Sequence, residues 1–248
     1  MDIRSKIKNA CKVTNRAQRN YDLTKSIPQE DLDTLIYAAA NSPSKQNETH
    51  YSLNVSTDAN TIYQIYEQTK KFTLYNPDNS PVGTIDETDN YKQDNTNSVT
   101  NSQILANAIF VYHDAQPQEE NNSYQINLDH QLARANPANS NINKNYNQQR
   151  NYSVGISVGE LILAAGLLGY RTGICSAFDG LAIKNILGSK TTPSLLVGIG
   201  YNNPNINRRT HPHVLNKDVP EGSRNGDILE NWNFPTNDKN IKVTINGN

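Results

Sequence analysis

Three short segments carry residue types able to hold an anion: Arg16-Ala17-Gln18-Arg19, Pro43-Ser44-Lys45-Gln46-Asn47 and Asn207-Arg208-Arg209. Guanidinium forks and loop amides that converge from separate segments can grip a phosphate. Taken singly, each segment reads as a solvated turn, so the chemistry depends on a fold that gathers them. Other chemistries are poorly represented. Gly155-x3-Gly159 and Gly166-x2-Gly169-x3-Gly173 lack the spacing of a dinucleotide-binding loop, and there is no P-loop. His211-Pro212-His213 has no second cluster at metal-ligand spacing, so no metal is expected. Cys11 and Cys175 form no Cys-x-x-Cys motif, and no paired-carboxylate or Ser-His-Asp pattern stands out.

The 248-residue chain balances 23 Lys and Arg against 24 Asp and Glu, for a net charge of −1. That gives no general attraction to nucleic acid or an anionic membrane, so an anion site must be built locally. Only 35% of residues are hydrophobic, and mean hydropathy is −0.73. Asn is abundant, above all between Glu119 and Asn151. Every apolar segment nonetheless keeps a regular period, which points to a polar surface around a smaller intact core. The expectation is one domain over residues 1–248, of α/β or α+β type. Two cysteines make no disulfide framework, and the start MDIRSKIKNACKV has no signal-peptide core, which reads as a cytoplasmic, reduced setting.

The elements that must position the three loops follow from periodicity. Ser153–Asp179 is the one long apolar segment. Ile156, Val158, Leu161, Ile162 and Ala165 recur at helical spacing, and Gly155, Gly159 and Gly166 leave room for another backbone. So apolar a helix is expected to be enclosed on most sides. Glycines at 169–173 end it, and TGICSAF follows as a buried strand. Upstream, residues 1–14 form an amphipathic helix with Ile3, Ile7 and Ala10 on one side. Ser26 and Gln29 are spaced as a capping box before a helix that buries Leu32, Leu35, Ile36 and Ala39. Pro43 stops that helix. Tyr51–Val55 alternates like a strand, Ile62, Ile65, Tyr66 and Thr69 line a helix, and residues 73–97 form a long surface connection. Ile104–Tyr112 contains the central strand, and 115–150 is a polar, nearly aperiodic excursion, either two weak helices or a mobile cover. A short helix around Leu181–Leu187, the strand Ser194–Tyr201 and an isolated strand at Ile241–Ile245 complete the chain.

In this order the segments resemble the nitroreductase family of FMN-dependent oxidoreductases. Arg16-Ala17-Gln18-Arg19-Asn20-Tyr21 is similar to its Arg-Ser-x-Arg-x-Phe/Tyr motif, and Ala39–Tyr51 to its Ala-x-x-Pro-Ser-x-x-Asn-x-Gln-Pro-Trp segment. Gly155 through Ala164-Ala165 to Gly169 resembles its central helix. Cys175–Asp179 and Val197-Gly198-x-Gly200-Tyr201, followed by Arg208-Arg209, complete the series. The sequence departs from the family at Ala17, where a phosphate-binding Ser is common, and at Thr49-His50-Tyr51, which replaces Gln-Pro-Trp beside the flavin. It departs again at Ala177, where a Gly usually offers its N–H to flavin N5. Thr100 and Gln103 align loosely with the family's contacts to the pyrimidine edge.

The resemblance implies a three-layer α+β fold with a mixed central sheet flanked by helices. It also implies a homodimer with FMN at the subunit interface, its C-terminal strand exchanged and residues 211–248 wrapping the partner. Arg16, with Arg208 or Arg209, would hold the phosphate, Ala17 would lie in the same cofactor-binding loop, and Arg19 would lie near flavin N1 and C2=O, where a positive charge favours the reduced flavin. Ser42, Pro43, Ser44, Lys45 and Asn47 would line the ribityl chain and ring edge. Gln103 would meet the pyrimidine edge, and Ser176-Ala177 would contact N5. The implied activity is hydride transfer from NAD(P)H to FMN and on to a small electron-poor acceptor, such as a nitro compound, a quinone or a flavin-like molecule, by a ping-pong mechanism. A flavin-binding sensor without turnover, or a specialised branch such as a reductive dehalogenase, is the alternative.

Overall fold

A computed structural model describes residues 2–44, 50–69, 72–73, 84–85, 91–92, 98–99, 101–114 and 140–203, together with Thr244. Lys45, Asn47, Arg208, Arg209, most of the 115–150 excursion, the expected strand at Ile241–Ile245 and the expected 211–248 tail lie outside these residues, Thr244 and the helical residues 140–150 apart.

The central sheet runs in the order β1 (Tyr51–Ser56), β6 (Ala108–Asp114), β8 (Pro193–Gly200), β7 (Arg171–Cys175). Four two-residue strands, β2 (Phe72–Thr73), β3 (Thr84–Ile85), β4 (Tyr91–Lys92) and β5 (Ser98–Val99), pair as β2 with β5 at the two ends of the connection expected at 73–97 and β3 with β4 inside it. Every pairing among the described residues is antiparallel. The mixed sheet expected is thus antiparallel throughout its described strands, and the C-terminal strand lies outside the described residues.

Period-two alternation on β6 divides the core between the two sheet faces. Ala108, Phe110 and Tyr112 enter a cluster with Leu32, Leu35 and Ala39 of α2 (Gln29–Ala40) and Val154, Val158, Leu161 and Ala165 of α4 (Ser140–Leu167). Ile109 and Val111 enter a second cluster with Ile62 and Ile65 of α3 (Ala59–Glu67) and Ile183 of α5 (Gly180–Leu187). Helices thus cover both faces, the three-layer α+β arrangement expected. Each fully buried Phe, Leu or Ile contributes roughly 1.5–3 kcal/mol.

Local signals set most boundaries. Asp2 caps α1 (Ile3–Thr14) through the N–H groups of Arg4 and Ser5. The capping box expected at Ser26 does not form: Pro28 occupies the cap, and the Gln29 amide donates to Asp33 at 2.7 Å instead. Within the turn, that carboxylate competes for the amide that would otherwise reach back. α4 ends at Gly169, at φ 92°, where the Tyr170 N–H reaches Ala165 O at 2.8 Å.

α4 departs from expectation twice. It begins at Ser140 rather than near Ser153, because its Asn-rich first turns carry no apolar stripe to betray it, while each added residue still contributes a backbone bond. Nor is it enclosed on most sides within one chain. Val154, Val158, Leu161 and Ala165 are buried, but Gly155, Ile156, Gly159 and Leu167 are exposed. Of its glycines, only Gly166 meets a neighbouring backbone: a Cβ there would lie 2.8 Å from Ala10 O and 3.0 Å from Ala10 Cα of α1. Gly166→Val is therefore expected to lever α1 off α4 and cost about 1–3 kcal/mol, read as a lower midpoint in urea unfolding. An unchanged midpoint would mean that this helix contact carries no stability.

Candidate functional site

The site residues sit around β7, the edge strand beside β8. The segment Gln18–Tyr21 covers the open side of β7 and the end of β8. Gln18 N–H donates to Thr172 O at 2.7 Å, and Asn203 N–H donates to Asn20 O at 2.8 Å. Tyr21 is fully buried, and its hydroxyl donates to Gly198 O at 3.1 Å. This anchoring leaves Arg16 exposed and Ala17 half-buried at the mouth of a cleft of about 480 Å³. Cys11, Thr14, Gly159, Leu163, Thr172 and Ile174 also line it. Its volume falls within the range of small-molecule sites.

Arg19 turns the other way, into the protein, and is only 5% exposed. Its Nη1 donates to Ala17 O at 3.4 Å. Burial lowers its pKa from the ordinary arginine value to about 10, against a smaller opposing pull from the nearby Tyr21 and Cys175. Half-buried Arg171, at the start of β7, is also lowered by burial.

Gln103 rides on a 3₁₀ turn, Ser102–Ile104, pressed flat on the sheet. Two glycines make that approach possible. A Cβ on Gly173 would lie 2.6 Å from Gln103 Cβ, 2.7 Å from its carbonyl oxygen and 2.8 Å from Gln18 O. A Cβ on Gly198 would also run into Gln103 O. The Gln103 amide donates to Ile174 O at 3.3 Å and Asn101 Oδ1 at 3.4 Å. Its Oε1 is buried with no hydrogen-bond partner among the described residues. So placed, a carboxamide can accept from a ligand N–H.

β7 stops at Cys175 rather than running to Phe178, so Ser176 and Ala177 leave the sheet. Two residues hold this exit. Asn101 Nδ2 donates to Ala177 O at 3.3 Å, and Thr69, bridged to Phe178, accepts from Asn101 N–H at 2.9 Å. Sequence reasoning misses the parts played by Asn101, Thr69 and Gln18. The one hint is a polar run, Asn101-Ser102-Gln103, shortly before the most apolar strand.

Ser42, Pro43 and Ser44 lie elsewhere. Pro43 and Ser44 line a separate cleft of about 690 Å³ with Tyr152, Ser153, Gly155 and Ile156 of α4. Ser42 Oγ pairs with Tyr51 Oη at 2.9 Å, and that hydroxyl donates to Ala39 O at 2.6 Å. Within one chain Arg16 and Ala17 meet Thr172 and Ile174 of β7, the Gln103 turn packs over Gly173 on the strand's other face, Ser176 and Ala177 follow the strand's end, and Ser42–Ser44 line a different cleft. Both clefts border the same exposed stripe of α4. Four to eight residues separate Gly155 from Gly159 and Leu163, roughly 6–12 Å along the axis. His50 and Tyr51, expected beside the flavin, are core residues. His50 is fully buried against Ser153 Oγ at 3.1 Å, and Tyr51 stacks at a tilt on Tyr112.

Residues 14–201 match the nitroreductase family. The chain belongs to that family. It is similar to nitroreductase A from Vibrio parahaemolyticus, with 16% identity, 89% of this chain and 77% of that one covered, and a TM-score of 0.52. It is likewise similar to a protein from Exiguobacterium sibiricum, assigned as a nitroreductase and solved with FMN, with 15% identity, 89% and 98% covered, and a TM-score of 0.54. A Staphylococcus epidermidis protein assigned as an NAD(P)H:FMN oxidoreductase shows 16% identity, 86% and 95% covered, and a TM-score of 0.54. At these identities the likeness is one of fold. No curated protein matches the chain in sequence. The matched span contains the Arg16–Arg19 loop, the Gln103 turn and the β7 exit. Among the described residues no cluster could hold a metal ion, and no helix is long and apolar enough to cross a membrane.

Proposed function

We propose that the protein is an FMN-dependent oxidoreductase that accepts hydride from NAD(P)H and reduces a small electron-poor acceptor. The observation that carries this reading is the buried Gln103 Oε1, unpartnered among the described residues, of the turn seated on β7, together with the buried cation Arg19 in the segment that covers the open side of that strand. The donor set fits an isoalloxazine: a cation for the oxygen-rich side of its pyrimidine ring and a carboxamide that can accept from the ring N–H. Bound FMN would supply the hydride-accepting and hydride-donating ring, serving donor and acceptor in turn on one face.

The chain's own groups bind and tune. Arg16, exposed at the cleft mouth, holds the phosphate, assisted by Arg208 or Arg209. Ala17 contributes no hydroxyl there. Arg19 places positive charge where negative charge develops, in a site that its burial keeps dry. Asn101, by holding Ala177 O, fixes the Ser176-Ala177 backbone that would face N5. No side chain needs to abstract a proton.

Ser42–Ser44, with Lys45 and Asn47 in the same loop, join this site from a second copy of the chain. A two-fold axis across the exposed stripe of α4 would lay the Pro43–Ser44 cleft of one protomer over the Arg16–Ala17 cleft of the other. It would also cover Ile156 and Leu167, which a lone chain leaves 43% and 45% exposed. The chain remains one domain in this reading, with 211–248 reaching toward the partner.

The test combines binding with turnover. Adding FMN to the purified protein is expected to raise its melting temperature and shield exposed Cys11, which lines the cleft, from a thiol reagent; buried Cys175 stays unreactive throughout. Bleaching of the flavin by NADH or NADPH without oxygen, followed by reoxidation with a quinone, establishes the enzyme. Flavin that binds but stays oxidised indicates a sensor, and a protein that neither binds FMN nor shields Cys11 refutes the proposal.

A further inference from the structure

We propose that Arg4, Lys8 and Lys12, a ridge of cations along α1, receive the extra phosphate of NADPH and make that nucleotide the preferred hydride donor; this rests on the flavin reading above. The charge of the chain is unevenly spread. Between Asp2 and Asp22 it carries six cations and no carboxylate, although its net charge is −1. Arg4, Lys8 and Lys12 recur every four residues, so they follow one another on one face of the helix, about 6 Å apart along its axis. All three are exposed, and among the described residues none has an ion-pair partner.

Helix stability does not account for the ridge. Cations four residues apart on a helix repel, and a cation in the first turn opposes the helix dipole. Arg4 stands in that first turn, which holds no acidic residue, and only Lys12, in the last turn, is placed as the dipole favours. A row of charges kept at a local cost to its own helix points to an anion outside the chain.

The row also borders the site. Ala10 and Thr14 are buried, and Ala10 packs on Gly166 of α4. At about 100° per residue, Cys11 comes next around the helix, and the ridge follows beyond it, while exposed Lys6 falls on the opposite flank past Ala10. Cys11 lines the cleft with Arg16, so α1 forms one rim of it. A cleft of about 480 Å³ encloses one small molecule. The adenosine end of a dinucleotide whose nicotinamide meets the flavin therefore lies outside. NADPH differs from NADH only by a phosphate at that end, so the choice between them is made on the rim. A guanidinium and two ammonium groups in a row suit a dianionic phosphate.

The test follows flavin bleaching without oxygen on the full chain saturated with FMN, with second-order rate constants for NADPH and for NADH. Wild type is expected to prefer NADPH about tenfold or more at low salt, and the preference should shrink as salt rises. Arg4→Gln combined with Lys8→Gln should cut the NADPH constant about tenfold and leave the NADH constant within about twofold. Lys6→Gln, the same loss of charge on the opposite flank, should keep the wild-type preference. Adenosine 2′,5′-bisphosphate, which has the phosphate and no nicotinamide, should compete with NADPH in wild type and more weakly in the double variant. Wild type that uses both nucleotides equally or prefers NADH, an unchanged preference in the double variant, or an equal loss in Lys6→Gln overturns the inference while leaving the flavin reading intact. A protein that binds no FMN, or whose flavin neither nucleotide bleaches, removes both.

Discussion

Gly173→Ala is expected to lower the thermal midpoint by several degrees and weaken FMN binding by more than a hundredfold. The reason is that one added methyl would strike two site elements at once. It would lie 2.6 Å from Gln103 Cβ and 2.8 Å from Gln18 O, closer than real Cβ atoms come to such neighbours. Two of the three nearest atoms are backbone carbonyl oxygens, which cannot rotate aside as a side-chain tip would. Either the Gln103 turn lifts from β7 or the Gln18 segment moves outward. Overpacking of this kind costs about 1–3 kcal/mol, which in a chain of this size corresponds to a fall of roughly 2–12 °C. The binding loss is larger than the stability loss because both groups proposed to grip the flavin, Arg19 and Gln103, ride on the displaced segments. Calorimetry and flavin titration on the same preparation provide the check. A variant that melts and binds like wild type would show that the turn does not seat on Gly173.

The same glycine shows why the fold is more legible in the sequence than the site. α2 can be read because Leu32, Leu35 and Ala39 recur at helical spacing and all three are buried. β6 and β8 can be read because continuous apolar runs must be covered on both faces. The first turns of α4 cannot, since a helix with polar residues all round has no periodic signature. The arginine loop is visible as residue types, but its geometry depends on Gln18, Asn101 and Gly173, whose roles exist only once β7, β8 and the 3₁₀ turn are adjacent. In sequence, Gly173 looks like part of a helix terminator. Its function is to admit a backbone, a property of the partner segment that sequence cannot show. Ser42–Ser44 stand out as residue types, yet one chain leaves them across α4 from the arginines. Their proposed meeting needs a symmetry axis, which no local pattern encodes. His50 and Tyr51, expected beside the flavin, are buried where β1 meets α2 and α4, and their polar atoms bond Ser153, Ser42 and Ala39.

Arg19→Met should move stability and binding in opposite directions. A guanidinium 5% exposed carries a desolvation cost, seen in the fall of its pKa from the ordinary arginine value to about 10. At 1.36 kcal/mol per tenfold change in proton affinity, that is on the order of 3 kcal/mol against the folded state at neutral pH. The sign follows from proton counting. Between about pH 10 and the ordinary arginine value the unfolded chain holds more protons than the folded one, so stability rises with pH across that window; below it the full cost persists. Methionine, shorter but of similar volume, removes the charge and fills most of the space, at the loss of the bond to Ala17 O and of the guanidinium's other contacts. The net gain expected for the FMN-free protein is about 1–2 kcal/mol, or roughly 2–8 °C. Flavin affinity should meanwhile fall at least tenfold, and the flavin that does bind should be harder to reduce, because the cation that favours negative charge on its pyrimidine edge is gone. Arg19→Lys, which keeps a charge but not the fork, should recover reduction more than it recovers affinity. If Arg19→Met instead destabilises the FMN-free protein, the guanidinium belongs to the packing of the β7 edge, and its burial is not a cost borne for the flavin.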